Sequence, residues 1–106
     1  MEQQLRVENN IGETNLAAFV LAGRFDAHES ERVRAVLLEP LEAGHVDVSV
    51  DLADVSFLDS SALAVLTTVM KRCREAGGDL TLVSVSDPVR VILELTRLDL
   101  AFTIVE

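Results

Sequence analysis

Three residues of types used in catalysis stand out in this chain: Asp26, His28 and Ser60 supply a carboxylate, an imidazole and a hydroxyl. In a serine hydrolase, groups of these types orient, accept a proton and attack the substrate. The sequence opposes this interpretation, because it contains no GxSxG elbow and no glycine-rich segment to hold an oxyanion. His28 is also expected in the first turn of a helix, where an exposed, solvated side chain is usual. We therefore predict that the protein is not an enzyme.

A second group of polar residues lies in the segment LDSSAL, residues 58–63, where a predicted strand passes into a helix. Unpaired N–H groups and the positive end of the helix dipole favour an anion at such a position. In one interpretation, Asp59 and Ser60 simply cap the helix. In the other, a serine hydroxyl at the head of the helix receives a phosphate. The two uses are compatible, and spacing alone leaves the choice open.

A strand before Asp59 and a helix after it must position these groups. The segment HVDVSVDL, residues 45–52, alternates strictly between apolar and polar side chains, which predicts a strand with one buried face and one open face. The following helix is predicted from Ser60 to Arg74, and Gly77 and Gly78 end it. Its predicted inward stripe consists of Leu63, Leu66, Met70 and Cys73.

The rest of the chain supplies four more strands and two more helices. Strands over 3–8 and 15–22 flank a predicted hairpin turn at Asn10 and Gly12. A helix begins near residue 27, and Pro40 should end or kink it. The remaining predicted elements are a strand over 79–85, a helix that starts at Ser86, Asp87 and Pro88, and a strand over 100–105. The charged residues of the first helix, Glu29, Glu31, Arg32 and Arg34, are predicted to form a solvated face.

This order of elements predicts the fold class. Strand–helix–strand connections of this length give parallel neighbours with right-handed crossovers. We expect a single α/β domain over residues 1–106, with a mixed sheet that opens with an antiparallel hairpin and continues with parallel strands. The clean alternation of the central strand predicts helices mainly on one face of the sheet.

The same topology predicts where the polar groups meet. In parallel units the loops that leave the carboxyl ends of the strands lie at one edge of the sheet. The segments GRFDAHES, ADVSFLDSS and SVSDP should therefore share one rim. The polar residues expected there are Asp26, His28, Asp59, Ser60, Ser61 and Asp87, with Asp54 close by.

Composition limits the cellular setting and the partners. The 106 residues carry a formal net charge of −9, which opposes binding to nucleic acid or to an anionic membrane surface. The single Cys73 excludes an internal disulfide and multi-cysteine zinc patterns, and we expect it to be a buried, inert thiol. The chain shows no signal peptide and no apolar run long enough to span a membrane. These features predict a soluble, cytoplasmic protein without a metal or other cofactor.

Two segments carry a resemblance to a known family. GRFDAHESERVRAVL, residues 23–37, and VDLADVSFLDSSALAVL, residues 50–66, resemble the STAS family, specifically bacterial anti-sigma-factor antagonists. The likeness covers most of the chain, because GGDLTLVSVSDPVRVILELTRLDLAFTIV, residues 77–105, follows the family's closing strand, helix and strand.

The resemblance implies a protein that binds an anti-sigma factor and thereby releases a sigma factor. The partner in this family is commonly a serine kinase that uses ATP and phosphorylates the serine after the Asp of the DSS motif, here Ser60. A phosphoserine phosphatase would reset the switch, and nucleotide is expected on the partner. The resemblance also implies a partner-binding set of Asp26, His28, Asp59, Ser60, Ser61 and Ala62. Ala62 departs from the glycine that many members carry, which implies a slightly stiffer loop.

Two further functions compete with this one. A response-regulator receiver would need paired acids after the first strand and a lysine after the last, whereas the chain's only lysine is Lys71. STAS-like domains also serve as accessory subunits of transporters or in stress-signalling assemblies, and fold alone does not separate these roles. Association with an anti-sigma kinase or with a membrane permease would distinguish them.

Overall fold

The computed structural model describes residues 5–11 and 16–106, which form five strands and three α-helices. The strands are β1 (Arg6–Ile11), β2 (Leu16–Phe25), β3 (Asp47–Leu58), β4 (Asp79–Val83) and β5 (Thr103–Val105). The helices are α1 (Ala27–Glu42), α2 (Ser60–Glu75) and α3 (Asp87–Leu95), and a short 3-10 helix follows at Leu98–Leu100.

The strands lie in the sheet in their order along the chain. β1 and β2 are antiparallel, and β2, β3, β4 and β5 are parallel. Because each right-handed crossover advances the sheet in the same direction, successive helices pack on the same face. The predicted mixed sheet, with its antiparallel opening and parallel continuation, is confirmed.

One face of the sheet is buried and the other is open. The fully or almost fully buried strand residues alternate with exposed or half-buried ones, as the strand period requires. The buried positions of the three central strands are Ala17, Phe19, Leu21, Phe25, Val48, Val50, Leu52, Val55, Leu58, Leu80 and Leu82. The helices add Val33, Leu37, Leu66, Val69, Val89 and Leu93 to the same core. The predicted inward stripe of α2 is confirmed, because all four of its residues are buried.

β3 continues six residues beyond the alternating segment, so the prediction that this strand ends at Leu52 is wrong. Between the residue pairs Val20–Asp51 and Ala22–Asp54, β3 contains one residue more than β2, and a second extra residue precedes Phe57. Each bulge leaves two consecutive side chains exposed, so apolar and polar residues no longer alternate strictly in this part of the strand. The bulges therefore turn a predicted loop into the end of a long, curved strand.

Other element boundaries differ modestly from the predictions. α1 includes Pro40 and ends two residues later. β5 covers only three residues, because the preceding segment forms the 3-10 helix. Asn10 lies within β1, and the rest of the predicted hairpin turn, including Gly12, lies outside the described residues. α2 ends as predicted, with Gly77 at a φ of 95°.

A cluster of polar side chains joins the amino ends of the parallel strands, here called the amino edge of the sheet. Asp79 accepts hydrogen bonds from Arg74 Nε at 2.8 Å and from Thr103 Oγ1 at 2.6 Å. Its backbone N–H donates to Asp47 Oδ1 at 3.1 Å, and Arg74 also donates to the carbonyl of Ala101 at 2.9 Å. The cluster joins the end of α2 to three strands, so its polar groups have a structural use. Within the two described ranges, no helix combines the length and the apolar character that a membrane crossing requires.

Cys73 is fully buried, as predicted, and its environment makes a testable difference to its reactivity. Burial, together with the charges of Asp79 and Asp47, raises the pKa of the thiol to about 11. At pH 8 we expect alkylation by iodoacetamide to be slower in the folded protein than in urea by a factor on the order of 100, because the thiolate is scarce and shielded. Mass spectrometry of timed samples measures the rate.

The raised pKa also predicts a loss of stability at alkaline pH. The folded state favours the protonated thiol, so the free energy of unfolding should fall as pH rises from the ordinary thiol value of roughly 8.5 towards about 11. Urea titrations across this range measure the loss. The variant Cys73→Ala is the control, since it removes the titrating group. An equal pH dependence in both proteins would contradict the assignment.

Candidate functional site

The amino ends of α1 and α2 meet at the side chain of Asp59. Its Oδ1 accepts a hydrogen bond from the backbone N–H of Ala62 at 3.0 Å, which caps α2. Its Oδ2 accepts one from the backbone N–H of Ala27 at 2.9 Å, at the start of α1. A single carboxylate therefore holds two helix ends together, and both positive dipole ends face one small region.

The local sequence explains why both helices begin here. Asp59 and Asp26 both adopt extended backbone, with φ values of −107° and −125°, as residues before a first helical turn usually do. Asp26 Oδ1 accepts from the backbone N–H of His28 at 3.1 Å and so caps α1. The end of β3 is tied to β2, because the N–H of Asp59 donates to the carbonyl of Phe25 at 3.4 Å.

The two serines that follow Asp59 occupy the first turn of α2. Ser60 is exposed and Ser61 is half-buried. Within the described part of the chain, neither hydroxyl forms a hydrogen bond, so the capping interpretation holds for Asp59 and not for Ser60. The Ser60 hydroxyl is thus an accessible group beside two helix amino ends. Its modification stays a prediction.

The catalytic arrangement considered from the sequence does not form. Asp26 accepts from the backbone of His28 and not from its imidazole. His28 is exposed in the first turn of α1, as predicted. Over residues 5–11 and 16–106 no hydrogen bond joins His28 to Ser60.

The predicted rim divides into two parts. Asp26, Asp59 and the serines lie together where α1 and α2 begin. Asp54 is not in a loop but on β3, and it lines an open depression formed by residues 53–56 and 84–88, which also contains Asp87. Ser86 closes the floor of this depression by donating from Oγ to the carbonyl of Val55 at 2.7 Å. The residues predicted for one rim therefore include a group at the starts of α1 and α2 and a group in this depression.

Ala62 also differs from its predicted setting. It lies within α2 and not in a loop, its side chain is fully buried, and its N–H is used by Asp59. A direct side-chain contact of Ala62 with a partner is therefore not available in this structure. The methyl group packs into the core and favours the helix, so the expected effect on a loop does not arise.

Part of the charged face of α1 is not solvated, contrary to the prediction. Glu29 Oε2 accepts from the backbone N–H of Leu5 at 3.2 Å, and Arg32 donates to the carbonyl of Leu5 at 2.7 Å. Burial would raise the pKa of Glu29, but the hydrogen bonds that it accepts from the Leu5 N–H and from Arg32 Nε, together with the charge of Arg32, outweigh burial and lower the pKa. Glu31 and Arg34 are exposed as expected.

The sequence reasoning missed two residues next to the site, Arg24 and Phe57. Gly23 adopts a φ of 112°, which only glycine tolerates well, at the second register shift between β2 and β3. Beyond this point Arg24 pairs with Phe57 in the sheet, and its guanidinium lies 4.1 Å from the ring centroid. The sequence signal that could have indicated this pair was Phe57, an aromatic residue that does not follow the spacing of the buried positions in β3.

Comparisons with known proteins agree on one family. The family model of the STAS domain matches residues 4–106. The chain is 31% identical over 78 residues to the anti-sigma-B factor antagonist of Bacillus subtilis (strain 168). The aligned segment covers 74% of this chain and 71% of that protein. It is 27% identical over 99 residues to the anti-sigma F factor antagonist of Paenibacillus polymyxa. The aligned segment covers 92% of this chain and 82% of that protein.

Solved structures share the fold. A Thermotoga maritima protein superposes with a TM-score of 0.86 at 23% identity, over 94% of this chain and 86% of that one. The Bacillus cell fate determinant SpoIIAA in its phosphorylated form superposes with a TM-score of 0.75 at 19% identity, over 93% of this chain and 90% of that one. At these identities the likeness establishes the α/β fold with its five-stranded mixed sheet.

The double cap predicts a large effect of one substitution. Asp59→Ala should lower the free energy of unfolding by about 2 kcal/mol, because it leaves the N–H groups of Ala27 and Ala62 without their acceptor. Asp59→Asn keeps one oxygen acceptor and should lose about half as much. Ser60→Ala is the control, since no hydrogen bond is lost, and should remain within about 0.5 kcal/mol of wild type. Urea unfolding followed by circular dichroism measures all three, and equal stability of Asp59→Ala and Ser60→Ala would refute the double cap.

Proposed function

We propose that this chain, which belongs to the STAS domain family, acts as an anti-sigma factor antagonist. In this role it binds an anti-sigma factor that is also a serine kinase, and the sigma factor held by that partner is released. The names of the curated relatives support the proposal, since they are antagonists of anti-sigma-B and anti-sigma F factors. The chain itself supplies the docking surface.

One observation carries the proposal: an exposed serine hydroxyl without a hydrogen bond follows a carboxylate that caps two helices. An accessible hydroxyl in a fixed first helical turn is a suitable substrate for a kinase that docks on the same surface. Ser60 is the acceptor in this proposal, and Asp26, His28 and Ser61 lie beside it as contact residues. Asp59 contributes by holding the surface together.

Phosphorylation of Ser60 switches the antagonist off. The phosphate adds roughly −1.5 to −2 charges beside Asp26 and Asp59, at a surface that must shed water when a partner docks. If this lowers binding by about 3 kcal/mol, the affinity falls roughly two orders of magnitude. A phosphoserine phosphatase then restores the binding form. The solved phosphorylated form of SpoIIAA is a precedent for such a modification in a structural relative.

The fold should tolerate the added charge. Unpaired N–H groups at the start of α2 and the converging dipoles of two helices offset part of the repulsion from Asp59. Among the residues that the structure describes, the Ser60 hydroxyl has no hydrogen bond whose loss would weaken the helix. The switch therefore acts on binding and leaves the folded state in place.

The site assignment predicts a definite chemical product. Incubation with the purified anti-sigma kinase of the same organism and ATP should add one phosphate to the peptide that contains Ser60. Tandem mass spectrometry locates it. In the variant Ser60→Ala the phosphate should be lost, whereas Ser61→Ala should still accept it. Label that persists in Ser60→Ala at a distant residue would refute the assignment.

The charge switch predicts opposite binding of two variants at one position. Ser60→Ala should bind the anti-sigma factor within about threefold of wild type, whereas Ser60→Asp should bind at least about tenfold more weakly, because its carboxylate must shed bound water when the partner closes on the docking surface. Isothermal titration calorimetry or fluorescence anisotropy gives the affinities, and thermal melting monitors the fold.

Ala35→Asp is the matched control for that experiment. Ala35 is exposed in the middle of α1, so this variant has the same net charge as Ser60→Asp but leaves the site unchanged. It should bind like wild type. Equal affinities of Ser60→Ala and Ser60→Asp would contradict the switch. If Ala35→Asp weakened binding as much as Ser60→Asp, the effect would be one of net charge and not of the site.

A further inference from the structure

The guanidinium of Arg24 is held in place on the surface of the sheet. It lies 4.1 Å from the centroid of the Phe57 ring, within the range of a cation–π interaction. Its Nε lies 3.8 Å from Asp26 Oδ2, which is an ion pair too long for a hydrogen bond. The ring and the carboxylate thus fix the position of the guanidinium without satisfying its donors.

Arg24 has unused hydrogen-bonding capacity. A guanidinium has five N–H donors in a planar fork, and within residues 5–11 and 16–106 Arg24 donates none of them to protein. The Arg24 side chain is 56% exposed and the Phe57 residue is 36% exposed. Since the stacking already restricts the side chain, a ligand that binds the fork would lose less conformational entropy than with a free arginine.

The pair lies directly beside the proposed docking surface. Arg24 is two residues before Asp26, Phe57 is three residues before Ser60, and the two are neighbours across β2 and β3. Arg24 also lies on the open face of the sheet, on the same side of β2 as the exposed residues Leu16 and Val20. A partner of ordinary interface size, roughly 800 Å² on each side, would extend from the helix ends onto this pair.

The charge pattern specifies the group that would bind there. Asp26 and Asp59 make this part of the surface acidic, in keeping with the net charge of −9, and favour a basic partner. Arg24 places one fixed positive charge within the acidic region. A uniformly basic partner is repelled at that point, whereas one with a carboxylate in the matching position gains a bidentate ion pair.

We propose that Arg24, presented on the ring of Phe57, is a specificity-determining residue that binds a carboxylate of the anti-sigma factor. This inference rests on the proposed function and adds a selection rule: the cognate partner has an Asp or Glu facing Arg24 within an otherwise basic contact region. Phe57 is the positioning residue of the pair, since it acts through the guanidinium.

Charge reversal with a matched control tests this inference. The full chain is titrated with the purified anti-sigma kinase of the same organism. Arg24→Glu should weaken binding at least about tenfold, because the new carboxylate faces the partner's own, and Arg24→Gln should weaken it less. Phe57→Leu keeps an apolar side chain but removes the ring, and should weaken binding about threefold. Arg34→Glu changes net charge equally at an exposed position of α1 and should bind like wild type.

The partner's side completes the test. Lysine substitutions at the partner's surface carboxylates should include one that restores the affinity of Arg24→Glu and weakens wild type. Equal binding by Arg24→Glu and Arg34→Glu, with tight binding by wild type, would overturn the role of Arg24 and leave the proposed function standing. Failure of wild type to bind any anti-sigma factor would overturn both. Thermal melting of each variant identifies any loss of fold, and rescue by the partner excludes a merely structural role of Arg24.

Discussion

The carboxylate of Asp59 is the interaction on which the functional surface depends. By accepting hydrogen bonds from Ala27 and Ala62, it fixes the starts of two helices that are far apart in sequence. The core packing of α1 and α2 sets their axes, but the shared cap decides that both positive ends face the same place. A serine in the next position is thereby held in an ordered turn and remains accessible to solvent.

The order of the strands leaves an open sheet face next to the carboxyl edge, where α1 and α2 begin. Because the parallel strands follow the chain order, the helices cover a single face and leave the other open. The amino edge is closed by Asp79, whose oxygens are bonded to Arg74 and Thr103. At the carboxyl edge, by contrast, the Ser60 hydroxyl and the Arg24 guanidinium donate no hydrogen bond to the part of the chain that the structure describes. The molecule therefore has a structural end and an end suited to recognition.

A switch at such a site is local in its physics. In the proposed switch, the phosphate alters charge and hydration at the docking surface, while helix ends and solvent offset part of that charge. No buried group has to move and no strand has to change register. Arg24 acts in the same region but in a different way, since a fixed cation among acids discriminates between partners. The two proposals thus assign reversible binding and partner choice to neighbouring residues with separate roles.

Local patterns in the sequence were enough to determine the α/β class, the one-sided sheet, the inward stripe of α2 and the position of Asp59 at a helix start. Strand alternation, helical spacing and capping chemistry act over a few residues, so they can be read without coordinates. The resemblance of the DSS segment to a family added Ser60 as the candidate site. Only the tertiary structure decided that β3 runs past Leu52, that Arg24 meets Phe57, that Asp54 and Asp87 line one depression, and that Ala62 is buried. These features depend on strand register, on two bulges and on contacts between residues far apart in sequence, such as Ala27 and Asp59, which are 32 positions apart. No local period encodes such contacts, because their geometry arises only when the sheet and helices pack together.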